Sequence, residues 1–299
     1  MAEKLGDPTL LADSLNRLGI TLEHDHPDQA TEIYRRALDM YVAAGDARGE
    51  ARCRNNLGIV YSLSGQWELA RKELTTAIAL ARTTGTPDLW GVAAVNLGVA
   101  WLKCGEYDRA RELFGEGLAL FAGVKNSERQ LYALYNLAHL DRERGEFESA
   151  AELYDAATSL AQRVGQSDVE IGAIAGAGLS LLEQGKTDPA RIALMGAEER
   201  IRARSDWFQG RELVEALAVR LAVHDGRIAD ALEFFDTSRT LSDASDVYSA
   251  AWLTAECGEC LLDHDPERIR SAVERFAEQI RGLGYMSMIR RYEELLSRA

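Results

Sequence analysis

Apolar and small residues along this chain fall at helical spacing, in paired blocks that return about every 40 residues. The short motif Asn56-Leu57-Gly58 comes back as Asn96-Leu97-Gly98 and as Asn136-Leu137-Ala138. Weaker echoes stand at Leu18-Gly19, Ala177-Gly178 and Leu217-Ala218. A glycine followed by a mixed pair marks a second beat: Gly65-Gln66-Trp67, Gly105-Glu106-Tyr107, Gly145-Glu146-Phe147, Gly185-Lys186-Thr187 and Gly226-Arg227-Ile228. Five residues past each of these glycines stands an alanine: Ala70, Ala110, Ala150, Ala190 and Ala231. Each period therefore predicts a helix A, a tight glycine turn, a helix B and a longer connection. The predicted units are 9–46, 47–86, 87–126, 127–166, 167–205, 206–245 and 246–283, with a C-terminal capping helix over 284–299. Thr86-Pro87 and Asp7-Pro8 read as a capping side chain before a first-turn proline. Ser127 and Ser167, each with an acid or amide three residues on, read as capping boxes.

These residues resemble the tetratricopeptide repeat. Gly58, Tyr61, Ala70, Leu74 and Ala77 match its pattern, as do Gly98, Trp101, Ala110 and Phe114 with Gly117 in the last place. Ala138, Ala150, Tyr154 and Ala157 match with alanine for glycine. The likeness is strong over residues 12–200 and fades where Ala218 and Cys257 take the glycine position. It departs from the family in its longer period, against about 34 residues, and in lacking the family proline. Lengthened units of this kind are similar to those of kinesin light chains, bacterial peptide-sensing regulators and the sensor arms of signalling ATPases. The resemblance implies an all-α, right-handed superhelical solenoid of about seven antiparallel helix pairs. One pair cannot bury its apolar stripe alone, so stacked neighbours share a continuous core.

Composition narrows the function. Hydrophobic residues make up 46% and charged residues 27%, a folded composition. Asp and Glu total 48 against 34 Lys and Arg, a net charge of −14. That balance disfavours a non-specific hold on nucleic acid or on an anionic membrane. With no secretory pattern at the N-terminus and four cysteines that form no secreted disulfide framework, a cytoplasmic protein is expected. Residues 2–7 read as the last turn of a helix B. The chain is accordingly expected to be a fragment of a longer protein, with a linked effector domain elsewhere. The segment 267–299 carries five glutamates and seven arginines, a basic end on an acidic chain.

On a helical wheel with the glycine as position 8, positions 4, 7, 8 and 11 share the core side and 2, 6, 9 and 13 share the opposite face. In the family that second face lines the groove. It carries Arg52, Asn56, Ile59 and Leu63, then Val92, Asn96, Val99 and Lys103, then Tyr132, Asn136, His139 and Glu143. Asn56, Asn96 and Asn136 are thus expected to form a ladder. An amide offers one donor side and one acceptor side, which matches one peptide unit of an extended chain. The other reading is that these asparagines brace neighbouring helices. Tyr132, Tyr135, His139 and Arg142 would add stacking and polar contacts, and Arg52 and Lys103 would meet a carboxylate.

Catalytic signals are weak. Cys257 and Cys260 form a C-x-x-C, but both fall on core positions of one helix, and His264 nearby would complete a poor tetrahedron. His24-Asp25-His26 reads as a solvated turn. No phosphate loop or nucleophile–base set is legible. The expectation is a non-enzymatic scaffold, without cofactor or metal, that holds a protein or extended peptide segment. The alternative is a regulatory arm of a signalling ATPase or transcription regulator, binding a small effector or holding an effector domain silent.

Overall fold

The computed structural model describes residues 8–202, 210–243 and 247–298, which form fifteen helices and no strand. The chain divides into two compact bodies, Met1–Ala133 and Leu134–Ala299. The first holds the pairs α1 (Pro8–Leu22) with α2 (Pro27–Ala44), α3 (Ala47–Leu63) with α4 (Trp67–Thr83), and α5 (Pro87–Lys103) with α6 (Tyr107–Gly123). The division falls inside α7 (Ser127–Glu143). The second body continues with α8 (Phe147–Val164), α9 (Ser167–Glu183) and α10 (Thr187–Ile201), then α11 (Arg211–His224) and α12 (Ile228–Asp243). It ends with α13 (Val247–Leu261), α14 (Pro266–Leu283) and α15 (Met286–Arg298). The fold is an all-α helical-repeat solenoid.

The turn chemistry explains why helices stop where they do. After α3, Gly65 sits at φ +68°, its N–H bonds the Ser62 carbonyl, and the Gln66 N–H reaches back to the Tyr61 carbonyl. That pair of bonds satisfies carbonyls the helix end would otherwise leave open, and the left-handed residue costs glycine nothing. The same two bonds recur after α5, at Gly105 and Glu106. At the α6–α7 turn the left-handed position is Lys125, at φ +56°. Helix starts fall one residue earlier than the sequence suggests. Asn126, not Ser127, accepts from the Arg129 N–H at 3.2 Å, and α9 is preceded by Gln166, not capped by Ser167. Thr86 caps backwards: its hydroxyl donates to the Ala81 carbonyl at 3.1 Å and makes no bond to the helix it precedes. Asp7, and the reading of residues 2–7 as a helix end, lie outside the described residues.

Glycine at position 8 lets helices A and B close on each other. A Cβ on Gly58 would lie 2.4 Å from Leu74 Cγ, and one on Gly98 would lie 2.6 Å from Phe114 Cε1. In the second body it is position 6 of α9 that closes on a B helix, where a Cβ on Gly176 would meet the Tyr154 ring at 2.4 Å. These contacts leave no room for a methyl group, so the side chain of helix B takes the space. Coverage then decides exposure. Leu57 is 1% exposed beneath α2, whereas Leu18, its counterpart in α1, is 46% exposed, flanked by exposed Ser14 and Thr21 where α3 has Cys53 and Val60. At the other end α15 packs on α13 and α14, burying Met288, Tyr292 and Leu295, with the Tyr292 hydroxyl on the Ala251 carbonyl at 2.9 Å.

Candidate functional site

In the first body the face of α1, α3 and α5 turned away from the B helices carries a chain of side-chain amides. Asn96 donates to Oδ1 of Asn55 at 2.9 Å, Asn55 donates to Oδ1 of Asn56 at 3.2 Å, and Asn56 donates to Oδ1 of Asn16 at 3.2 Å. Asn16, Asn55 and Asn56 are buried; Asn96, at the end of the chain, is half-buried. The expectation of an open ladder is therefore changed for Asn56, whose amide donor and acceptor are both engaged within the protein. It braces α3 against α1. Asn16 and Asn55, both at position 5, are the partners that the wheel argument missed.

The cations on this face are also partly committed. Arg52 pairs with Asp13 of α1 and donates to the Tyr41 hydroxyl at 3.0 Å. Burial raises the Tyr41 hydroxyl above the ordinary tyrosine range, and its bond to Asp13 adds to the effect. Lys103, at the end of α5, is half-buried and has an interaction of its own. Apolar side chains lie open beside these groups: Ile20 is 50% and Leu63 43% exposed, and Ile59, Val92 and Val99 are half-buried. Tyr132, on the first half of α7, is exposed. An uncovered apolar strip flanked by fixed polar groups suits an extended chain with alternating side chains.

In the second body the corresponding face is filled from within. Arg142 of α7 donates to Glu256 of α13 at 3.0 Å and to Glu143 at 2.9 Å. Glu256 also receives Arg220 of α11 at 2.9 Å and Arg291 of α15 at 3.0 Å. Arg220 and Arg291 pair in turn with Glu183 and Glu259. Glu256 is 3% exposed; burial would raise its carboxyl, but Arg142, Arg291 and Arg220 outweigh that and hold it well below the usual carboxylate range. Burial opposes the Arg142 charge, yet Glu256 and Glu143 keep it fixed. Arg142 lies 5.1 Å from the Trp252 ring centroid, and His139 packs tilted on the same indole at 6.4 Å. Tyr135 meets Tyr154 edge to face at 5.8 Å. Tyr135, His139 and Arg142 were expected to offer contacts to a ligand, but they pack against the protein's own α8 and α13. Asn136, beside them on α7, also has a partner.

The structure gives little support to chemistry. Cys257 is buried, and burial raises its thiol well above the ordinary value; Cys260 is pushed up to about 11. Among the described residues no group of three or more His, Cys, Asp or Glu is placed to hold a metal ion. His24, Asp25, His26 and His264 are exposed. Thr187 Oγ1 lies 3.2 Å from His224 Nε2, with Asp225 3.7 Å from the other ring nitrogen. That spacing is too long for a hydrogen bond, and the Asp225 carboxylate is taken by Arg191 and Arg227, so nothing orients the imidazole as a base.

Paired helices, glycine turns and glycine–aromatic packing define a helical-repeat scaffold of the tetratricopeptide class. Models of the tetratricopeptide repeat match residues 10–83 and 91–121 of this chain. Solved structures share the fold at low identity. Aspartyl phosphate phosphatase F from Bacillus subtilis is 14% identical with a TM-score of 0.72, covering 92% of this chain and 73% of its own. The quorum sensor NprR from B. thuringiensis, in its apo form, is 11% identical with a TM-score of 0.62, covering 98% of this chain and 88% of its own. Nearly identical TPR-like repeats of a kinesin light chain from Podosopora anserina are 17% identical with a TM-score of 0.55, covering 66% and 96%. No curated protein matches the sequence. Among the described residues no helix is long and apolar enough to cross a membrane.

Proposed function

We propose that the chain is a non-enzymatic recognition scaffold that holds an extended protein segment on the helix-A face of its first body, across α1, α3 and α5. The observation that carries this reading is the contrast between the two bodies. In the second, the same face is occupied by the Arg142–Glu256 cluster and Trp252. In the first, Ile20, Ile59, Leu63, Val92 and Val99 stay partly or wholly open beside Asn96. An incoming backbone would meet the half-buried Asn96 amide, while its side chains would cover the apolar strip. Arg52 and Lys103 flank the strip and would favour an acidic residue in the segment. Asn56 serves this site only indirectly, through its brace of α3 against α1.

The test is selection of linear peptides from a random display library on the full chain. Asn96→Ala and Val99→Asp should each weaken the recovered binders about tenfold or more, the scale of one or two lost contacts. His139→Ala should leave binding unchanged. Melting temperatures for Asn96→Ala should stay within a few degrees of the parent. No recoverable binder, or binders insensitive to both groove variants, overturns the proposal. Recovery of a small effector instead of a peptide, bound on the same face, would favour the regulatory-arm reading.

A further inference from the structure

We infer that the outward face of α10 is a docking surface for a helix of another protein, one whose apolar stripe is flanked by lysine or arginine. Two side chains carry the inference. Ile192 is 70% and Met195 67% exposed, more than any other large apolar side chain among the described residues. Ala190 and Ala197 of the same helix are buried, so the pair stands on the side turned to solvent. The other B helices build this side differently. Two and five residues past the helix-B alanine stand Lys72 and Thr75 in α4, Glu112 and Gly115 in α6, Glu152 and Asp155 in α8, and Glu233 and Asp236 in α12. Of these helices only α10 places large apolar groups at both positions. Neighbouring apolar groups exposed on one element, where its counterparts are polar, mark a contact surface.

The charges around the pair say what fits it. Two cations of α10 are already committed: Arg191 pairs with Asp225, and Arg200 pairs with Glu170 at 2.7 Å. The carboxylates are open. Asp188, Glu198 and Glu199 of α10, and Glu152 and Asp155 on the outward face of the preceding B helix, are exposed, and none makes an ion pair among the described residues. Against them stand Arg163 and Arg202, each at the C-terminal end of its helix. Ile192 and Met195 thus lie in an acidic surround, the complement of an apolar stripe with basic flanks. A second copy of this chain fits poorly. Packing Ile192 of one α10 on Met195 of another in antiparallel sets Asp188 beside Glu199, and like charges oppose that pairing. The occupant is a helix for a backbone reason. The outer face of a helix offers no free N–H or C=O groups, so a strand laid there would gain no backbone bonds, whereas a helix brings its own. Gly196, one turn on from Ile192, has only the Arg200 guanidinium within 4 Å of where a Cβ would stand, at 3.6 Å. That leaves a shallow notch beside Ile192 for an incoming side chain.

The experiment is selection from a display library of helical peptides on the full chain, with counter-selection on the double variant Ile192→Glu, Met195→Asp, which restores the pair found in α8. Added carboxylates would strengthen a purely electrostatic hold on a basic peptide, so survivors depend on the apolar anchors. Survivors should carry apolar residues at i, i+3 or i+4 and i+7, with lysine or arginine beside them. Measured singly by fluorescence anisotropy, they should bind Ile192→Gln with Met195→Gln about tenfold or more weakly than the parent. Glu198→Gln with Glu199→Gln should weaken them as well. Val99→Asp should leave them unchanged, so failure here is separable from failure of the groove in the first body. Both altered positions are exposed, so each double variant should melt within a few degrees of the parent. If the charged pair does not fold, the glutamine pair serves for counter-selection. No surviving peptide, survivors without basic flanks, equal affinity for the Glu198 and Glu199 variant, or self-association of the parent that the double variant abolishes, each overturns the inference.

Discussion

Arg142 and Glu256 stand 114 residues apart in the chain and 3.0 Å apart in the second body, both buried. Three arginines from α7, α11 and α15 converge on this one carboxylate on α13. Glu256→Ala would leave three cations without their shared partner. Loss of one member of a buried ion pair costs about 3–5 kcal/mol. Hydrogen exchange should show faster opening of α13 and α15, with α1 to α4 unchanged.

The same cluster sets a pH dependence. The folded Glu256 carboxyl lies below its ordinary value of about 4.3. Its contribution is therefore fully present above that value and fades as pH falls toward the depressed one. Urea midpoints should hold from about pH 7 to 5 and decline below about pH 4. In Glu256→Gln that part of the decline should be absent.

Gly98 and Gly115 separate packing from propensity. Alanine gains up to about 1 kcal/mol over glycine inside a helix. At Gly115 nothing lies within 4 Å of the added Cβ, so Gly115→Ala should stabilise. At Gly98 the Cβ would meet Phe114 at 2.6 Å, and overpacking of about 1–3 kcal/mol should win. Gly98→Ala should thus destabilise, and adding Phe114→Leu should recover part of the loss. Denaturant unfolding of the three variants reads all signs.

Lys125 holds a backbone conformation that suits glycine, at φ +56°, with its side chain exposed. The strain of such a residue is about 1–2 kcal/mol, partly offset by the greater freedom of glycine when unfolded. Lys125→Gly should raise stability by up to about 1 kcal/mol, visible as a higher urea midpoint.

Cys53 is buried, its thiol raised to about 12 by burial, and Cys257 is raised as well. Iodoacetamide at about pH 8 should spare both in the native protein and label both in denaturant. Rapid native labelling of Cys53 would contradict its place in the core.

Periodicity alone made the helices and their pairing legible, because the glycine turns and the 3.6-residue apolar stripe are local properties of the chain. It also placed Gly58 and Gly98 against helix B, since wheel position follows directly from spacing. Helix starts slipped by one residue at Ser127 and Ser167, where Asn126 and Gln166 precede the helix. What each polar groove residue touches was a tertiary matter. Asn56 finds Asn16 only because α1 and α3 approach with a one-residue offset, which joins position 6 to position 5. Arg142 finds Glu256 only because α7 and α13 meet inside the second body. The sequence alone determined a repeat of amphipathic helix pairs, since that pattern is written within each 40 residues. Which polar side chains stay open to a ligand was decided by contacts between helices up to 114 residues apart, and no local pattern encodes those.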